Sequence, residues 1–68
     1  MARRGKVKWY NEKMGYGFIA QASGEDVFVH FTVLRGDGTE LTAGMEVEFE
    51  VRKGDRGPIA EWVSQAPG

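Results

Sequence analysis

The sequence predicts a small all-β barrel of five short strands, and three observations carry that prediction. Short stretches alternate apolar and polar side chains with a period of two. Turn-forming residues separate them. No segment places apolar residues at helical spacing. The chain has 68 residues, which is one small domain that buries only about 60% of its unfolded surface. The expected unit is therefore a single domain over residues 1–68, frayed at about 1–4 and 65–68.

The first strand starts near Lys6 and runs through Val7-Lys8-Trp9-Tyr10 to the turn former Asn11. Trp9 and Tyr10 are adjacent, so a regular strand sends them to opposite faces unless a bulge intervenes. A loop at Asn11 to Met14 follows, and Gly15 eases the turn. Tyr16 to Ala20 form the second strand, with Tyr16 and Phe18 on one face and Gly17 and Ile19 on the other. Gln21 to Glu25 is a polar turn. Asp26-Val27-Phe28-Val29-His30 repeats the same split, valines on one side, Phe28 and His30 on the other. A long loop over Thr32 to Gly44 holds a turn of 3₁₀ helix at Val33-Leu34. Met45 to Arg52 is the clearest strand, with Val47, Phe49 and Val51 inward and Glu46, Glu48, Glu50 and Arg52 outward. Lys53 to Pro58 is a hairpin-type turn, and Ile59 to Val63 is the fifth strand. The predicted core is Val7, Ile19, Val27, Val29, Leu34, Leu41, Val47, Phe49, Val51 and Val63.

That core is mostly aliphatic, which leaves the aromatic residues to be explained. Six of the eight aromatic residues lie between Trp9 and Phe31. A single phenylalanine in a strand is more often core than ligand. Here the aliphatic residues take the opposite face of both strands, so Trp9, Tyr16, Phe18, Phe28 and His30 gather on the outside, with Phe31 at the rim. Exposed apolar patches of this kind mark binding sites. Aromatic side chains beside Lys8 and Lys13 form a platform for unpaired bases, each stack contributing about 1–3 kcal/mol.

Charge and composition exclude several alternatives. The net charge is −1, which argues against a duplex binder that works mainly by charge. Its distribution is uneven: residues 1–24 carry five basic residues against Glu12 alone, and residues 25–68 carry four basic against nine acidic. There is no cysteine and one histidine, so no disulfide, thiolate site or zinc site is expected. Met1 to Lys6 carries charge, but no apolar segment follows it, so no signal peptide or membrane span is expected. Asp26 and His30 sit four apart on a strand, about 13 Å along it, too far for direct acid–base pairing. Asp26 reads instead as a turn or ion-pair residue, and Arg3 and Arg4 as mobile.

Lys6-Val7-Lys8-Trp9-Tyr10-Asn11, Gly15-Tyr16-Gly17-Phe18-Ile19 and Asp26-Val27-Phe28-Val29-His30-Phe31 resemble the bacterial cold-shock protein family. The second and third stretches resemble its two ribonucleoprotein motifs, and Gly54 to Ala60 is similar to the turn before its last strand. The resemblance covers about residues 4–65. It implies a five-stranded antiparallel barrel of the oligonucleotide-binding type, without enzymatic activity or cofactor. It implies binding of single-stranded RNA and DNA, melting of RNA secondary structure, and roles in transcription or translation at low temperature. It further implies a cytoplasmic protein with no membrane or small-molecule partner, monomeric or a strand-swapped dimer. The family's stacking positions match Trp9, Tyr16, Phe18, Phe28, His30 and Phe31, and its basic position before the tryptophan matches Lys8; Lys13 and Arg56 complete the expected nucleic-acid contacts.

Three departures stand out. Met14 replaces the lysine that normally precedes Gly15, leaving Lys13 one place earlier. Thr39 stands where the long loop usually carries an aromatic residue. Ile59 and Trp62 occupy positions that are commonly polar; Trp62 fits an extended platform, packing on a neighbouring strand, or a protein contact. The rival to nucleic-acid binding is a protein-interaction module that uses the same aromatic patch plus Ile59 and Trp62 to grip a partner or to dimerise.

Overall fold

A computed structural model describes residues 3–22, 24–36 and 40–66. It contains five strands: β1 (Arg3–Asn11), β2 (Tyr16–Gln21), β3 (Val27–His30), β4 (Glu46–Gly54) and β5 (Gly57–Gln65). A 3₁₀ turn, Phe31–Val33, follows β3 directly. The strands close into a barrel in the order β1-β2-β3-β5-β4. Neighbours pair antiparallel except at the β3–β5 seam, where one parallel pair, Phe28 with Ile59, joins the strands. A second parallel bridge, Leu34 with Val63, extends that seam.

The strand order follows from how β1 is used. Its first residues, Arg3 to Lys6, pair with β4, and Gly5 to Asn11 pair with β2. One strand thus belongs to both sides of the barrel and leaves no free edge between them. The strand therefore starts at Arg3, earlier than the predicted Lys6, and includes Arg3 and Arg4. Backbone pairing to Phe49 and Glu48 fixes them, and their side chains reach Gln21 Oε1 at 3.0 Å and Glu48 Oε2 at 3.4 Å. At the other end, Ser64 and Gln65 continue β5 against Glu48 and Val47 instead of fraying. The expected frayed residues 1, 2, 67 and 68, and Ser23 and Thr39, lie outside the described residues. Asp26 precedes β3 and is not part of it.

Eight of the ten predicted core residues are buried: Val7, Ile19, Val27, Val29, Leu41, Val47, Phe49 and Val63. Leu34 and Val51 are only partly buried against them, and Ala60 joins the core instead. Ala60 turns inward because of a register shift in β5. Glu50 pairs with Trp62 and Val51 with Ala60, so Glu61 is an extra residue in the ladder. The bulge turns Ala60 and Val63 inward, and leaves Ile59 and Trp62 on the outside.

A matching irregularity in β1 separates its two aromatic residues. Val7 pairs with Ile19, and the next pair is Trp9 with Phe18, so Lys8 is the additional residue. Trp9 then faces out, and Tyr10 packs against the core opposite Gly17. A Cβ at Gly17 would lie 2.7 Å from the Tyr10 Cα and closer still to the Trp9 carbonyl, so only glycine fits beneath that crossing. Burial, and then the Glu12 carboxylate, raise the Tyr10 phenol above its ordinary pKa. Tyr10 thus packs against the core on the opposite face of β1 from Trp9.

Candidate functional site

Register places the outward side chains of β1, β2 and β3 in rows. Trp9 lies opposite Phe18, Phe18 opposite Phe28, and Tyr16 opposite His30. Cross-strand neighbours on one face stand within side-chain reach, and the rings meet. Trp9 is 5.7 Å from Tyr16 and 5.5 Å from Phe18; Phe28 is 5.9 Å from Tyr16 and 5.7 Å from Phe18. Three of these contacts are edge-on or tilted, and Tyr16 over Phe28 is stacked. The rings support each other at their edges and are half-buried there, while Trp9 remains 41% exposed. Edge support holds the rings rigid, so little side-chain freedom is lost when a flat ligand stacks on them.

The 3₁₀ turn carries the platform onward. Phe31 lies 4.6 Å from the His30 ring and is 57% exposed. It rests on Gly15, where a Cβ would come 2.7 Å from the Phe31 ring, and Phe31 N–H donates to the Gly15 carbonyl at 2.9 Å. Gly15 has φ of +77°, which also suits glycine, and it closes the turn opened by Asn11, whose side chain accepts from Met14 N–H at 3.0 Å. The expected turn at Asn11 to Gly15 is thus present, and it serves as the floor under Phe31. The 3₁₀ turn itself starts two residues earlier than predicted, because His30 caps it. Thr32 N–H donates to His30 Nδ1 at 3.4 Å, and the Thr32 hydroxyl lies 3.0 Å from the same nitrogen.

The basic residues divide. Lys8, the bulge residue, makes an ion pair of 2.8 Å with Asp26, so the sequence reading of Asp26 as an ion-pair residue holds. Lys13 is exposed in the turn and shares a groove with Trp9, Tyr10 and Leu41 on the side away from Phe28. Arg56 lines a groove of about 540 Å³ with Phe18, Phe28, Pro58 and Ile59; Glu25, Asp26 and Asp55 form the rest of its polar rim. Met14 is 61% exposed beside Gly15. All nine predicted contact residues therefore lie on or around one side of the barrel. The rings form its centre, with Lys13 and Arg56 at opposite margins.

Sequence reasoning left the part contributed by β5 open. Ile59 lies beside Phe28 across the seam and extends the apolar surface by one strand. Its signal was available in composition, as an aliphatic residue right after Pro58, but its face depends on the Glu61 bulge. Trp62 is different. It packs under Arg35, whose guanidinium carbon is 4.8 Å from the ring centroid, and Arg35 N–H donates to the Val63 carbonyl at 2.7 Å. The ring contact observed for Trp62 is with Arg35, in the segment after the 3₁₀ turn, and its strand pairing is with Glu50. Among the described residues no group of histidine and acidic side chains could hold a metal ion, and no helix is long and apolar enough to cross a membrane.

Rigid, tilted rings with charged margins suit flat, unpaired, anionic ligands. Comparison with known proteins points the same way. The profile of the 'Cold-shock' DNA-binding domain matches residues 3–66. The cold shock protein CspB of Bacillus caldolyticus is 56% identical over 59 residues, covering 85% of this chain and 89% of that protein. CspD of Bacillus subtilis is 54% identical over 59 residues, with the same coverage of both. Among solved structures, the Drosophila Unr CSD456 structure superimposes with a TM-score of 0.80 at 25% identity, over 98% of this chain and 27% of that longer one.

Proposed function

Because the chain belongs to the cold-shock DNA-binding domain family, whose members are nucleic-acid-binding and not enzymatic, we propose that it binds single-stranded RNA and DNA through the β1–β3 face and acts as an RNA chaperone. The observation that carries this reading is the unbroken ring surface of Trp9, Tyr16, Phe18 and Phe28, spaced 5.5–5.9 Å apart outside an aliphatic core. Every base has a π-face, so such a surface takes any sequence. A duplex hides those faces, so the protein binds the melted state alone. Mass action then favours melting: at a free concentration of 100 times Kd, each bound site shifts the equilibrium by about 2.7 kcal/mol. That is enough to open marginal hairpins and needs no nucleotide hydrolysis. A cytoplasmic role in transcription or translation at low temperature fits this activity, because RNA secondary structure is most persistent in the cold.

The test is a fluorescence titration in a Trp62→Phe background, which leaves Trp9 as the reporter. A dT or U hexamer should quench Trp9, and the matching duplex should not. Quenching that is equal for both, or that survives unchanged in Phe18→Ala and Phe28→Ala, would remove the proposal. Salt separates it from an apolar protein-interaction surface: nucleic-acid binding weakens as salt rises, and apolar association does not.

A further inference from the structure

The outward row that begins at Trp9 does not end at Phe28. Trp9 pairs with Phe18, Phe18 with Phe28, Phe28 with Ile59, and Ile59 with Arg52. One line of side chains therefore crosses all five strands of the barrel, aromatic on β1 to β3, aliphatic on β5 and cationic on β4. Arg52 also lines a groove of about 520 Å³ with Phe28, His30, Thr32, Ile59 and Glu61. Resting on the single-strand reading above, we infer that Arg52 is a further contact for the nucleic-acid backbone: a phosphodiester sits in this groove while its base lies against Ile59 and His30.

Electrostatics favour this groove over the one beside it at Phe18. The neighbouring groove carries Glu25, Asp26 and Asp55 against Arg56, a balance that repels phosphate. The Arg52 groove carries one cation and Glu61 alone. Lys8 is already held by Asp26 at 2.8 Å. The exposed Arg52 guanidinium has no hydrogen-bond or ion-pair partner among the described residues. A guanidinium fork that is open, exposed and at the end of an apolar row matches a phosphate geometrically as well as in sign. The β3–β5 seam is joined by few backbone pairs, so a strand lying over it also bridges the two sides of the seam.

The experiment uses the full chain and dT hexamers. The slope of log K against log salt should become shallower by about 0.7 in Arg52→Gln, the single-strand value for one lost phosphate contact. Arg52→Lys should keep the slope, and Lys53→Gln, the exposed neighbour, should leave it nearly unchanged. Hexamers with one neutral methylphosphonate linkage locate the contact. At one position the wild type should lose several-fold in affinity, and Arg52→Gln should lose nothing further there. If Arg52→Gln behaves like Lys53→Gln, and the linkage scan is the same in both proteins, the inference fails while Phe28-dependent binding leaves the single-strand reading intact. If the wild type does not bind the hexamer, both fail.

Discussion

Trp9 and Trp62 both leave the barrel on its outer side, each next to a bulge, at Lys8 in one case and Glu61 in the other. Their surroundings differ. Trp9 has rings on its strand neighbours, Tyr16 and Phe18, and remains 41% exposed. Trp62 faces Glu50 across the ladder, is half-buried, and carries the Arg35 guanidinium at 4.8 Å. An outward tryptophan is therefore not a binding residue by type. It becomes one when the rings beside it form a continuous surface and no cation of the protein already occupies its face. Where a guanidinium covers the ring, the cation–π contact joins elements of the fold, here the segment after the 3₁₀ turn to β5.

The largest effect that separates the two regions should come from Phe28, which touches Tyr16 and Phe18 and adjoins Ile59. Phe28→Ala should weaken hexamer binding by about 1–3 kcal/mol, roughly five- to 150-fold, with the fold retained by circular dichroism. Trp9→Ala should cost about tenfold, since Trp9 lies at the end of the row and has neighbours on fewer sides. Trp62→Ala should do the reverse: binding stays within about twofold, and unfolding free energy falls by about 1–2 kcal/mol through lost packing and the lost cation–π contact. Denaturant melts and titrations of the same three variants test the contrast. Equal binding losses at Trp9 and Trp62 would merge the two regions into one surface.

The strands and the split of aliphatic from aromatic residues were legible because they rest on period-two alternation, which a strand imposes on every residue. Val27-Phe28-Val29-His30 shows it most plainly, and its inner and outer faces are as read. The two places where the reading was incomplete are the two bulges. One extra residue in a ladder reverses the alternation beyond it, and nothing in Val7-Lys8-Trp9 or Ala60-Glu61-Trp62 says which residue is extra. That choice is made by the partner strand: Gly17 opens space for Tyr10, and Val51 seats Ala60. Pairings between distant segments were illegible for the same reason. Arg3 and Arg4 looked like a charged tail because their partners, Phe49 and Glu48, are more than forty residues away. The joining of Ile59 to Phe28 comes from barrel closure, which no local pattern encodes.

The smallest predicted effect is at the Lys8–Asp26 pair, and it bears on how far charge contributes beside stacking. The pair is short, 2.8 Å, yet its side chains are 57% and 40% exposed, so it should contribute only about 0.2–1 kcal/mol to stability. The same pairing costs the protein a phosphate contact, because a bound strand must displace Asp26 before Lys8 can serve it. Asp26→Asn removes that competition. Hexamer binding at low salt should then strengthen by about two- to fivefold, within the range that a surface ion pair can supply. The salt slope should steepen toward one more phosphate contact. Lys8→Gln should cancel both changes when combined with Asp26→Asn. If Asp26→Asn instead weakens binding at every salt concentration, the carboxylate itself accepts a hydrogen bond from a bound base. Lys8 then serves to position Asp26, and phosphate contacts fall to Lys13 and Arg52.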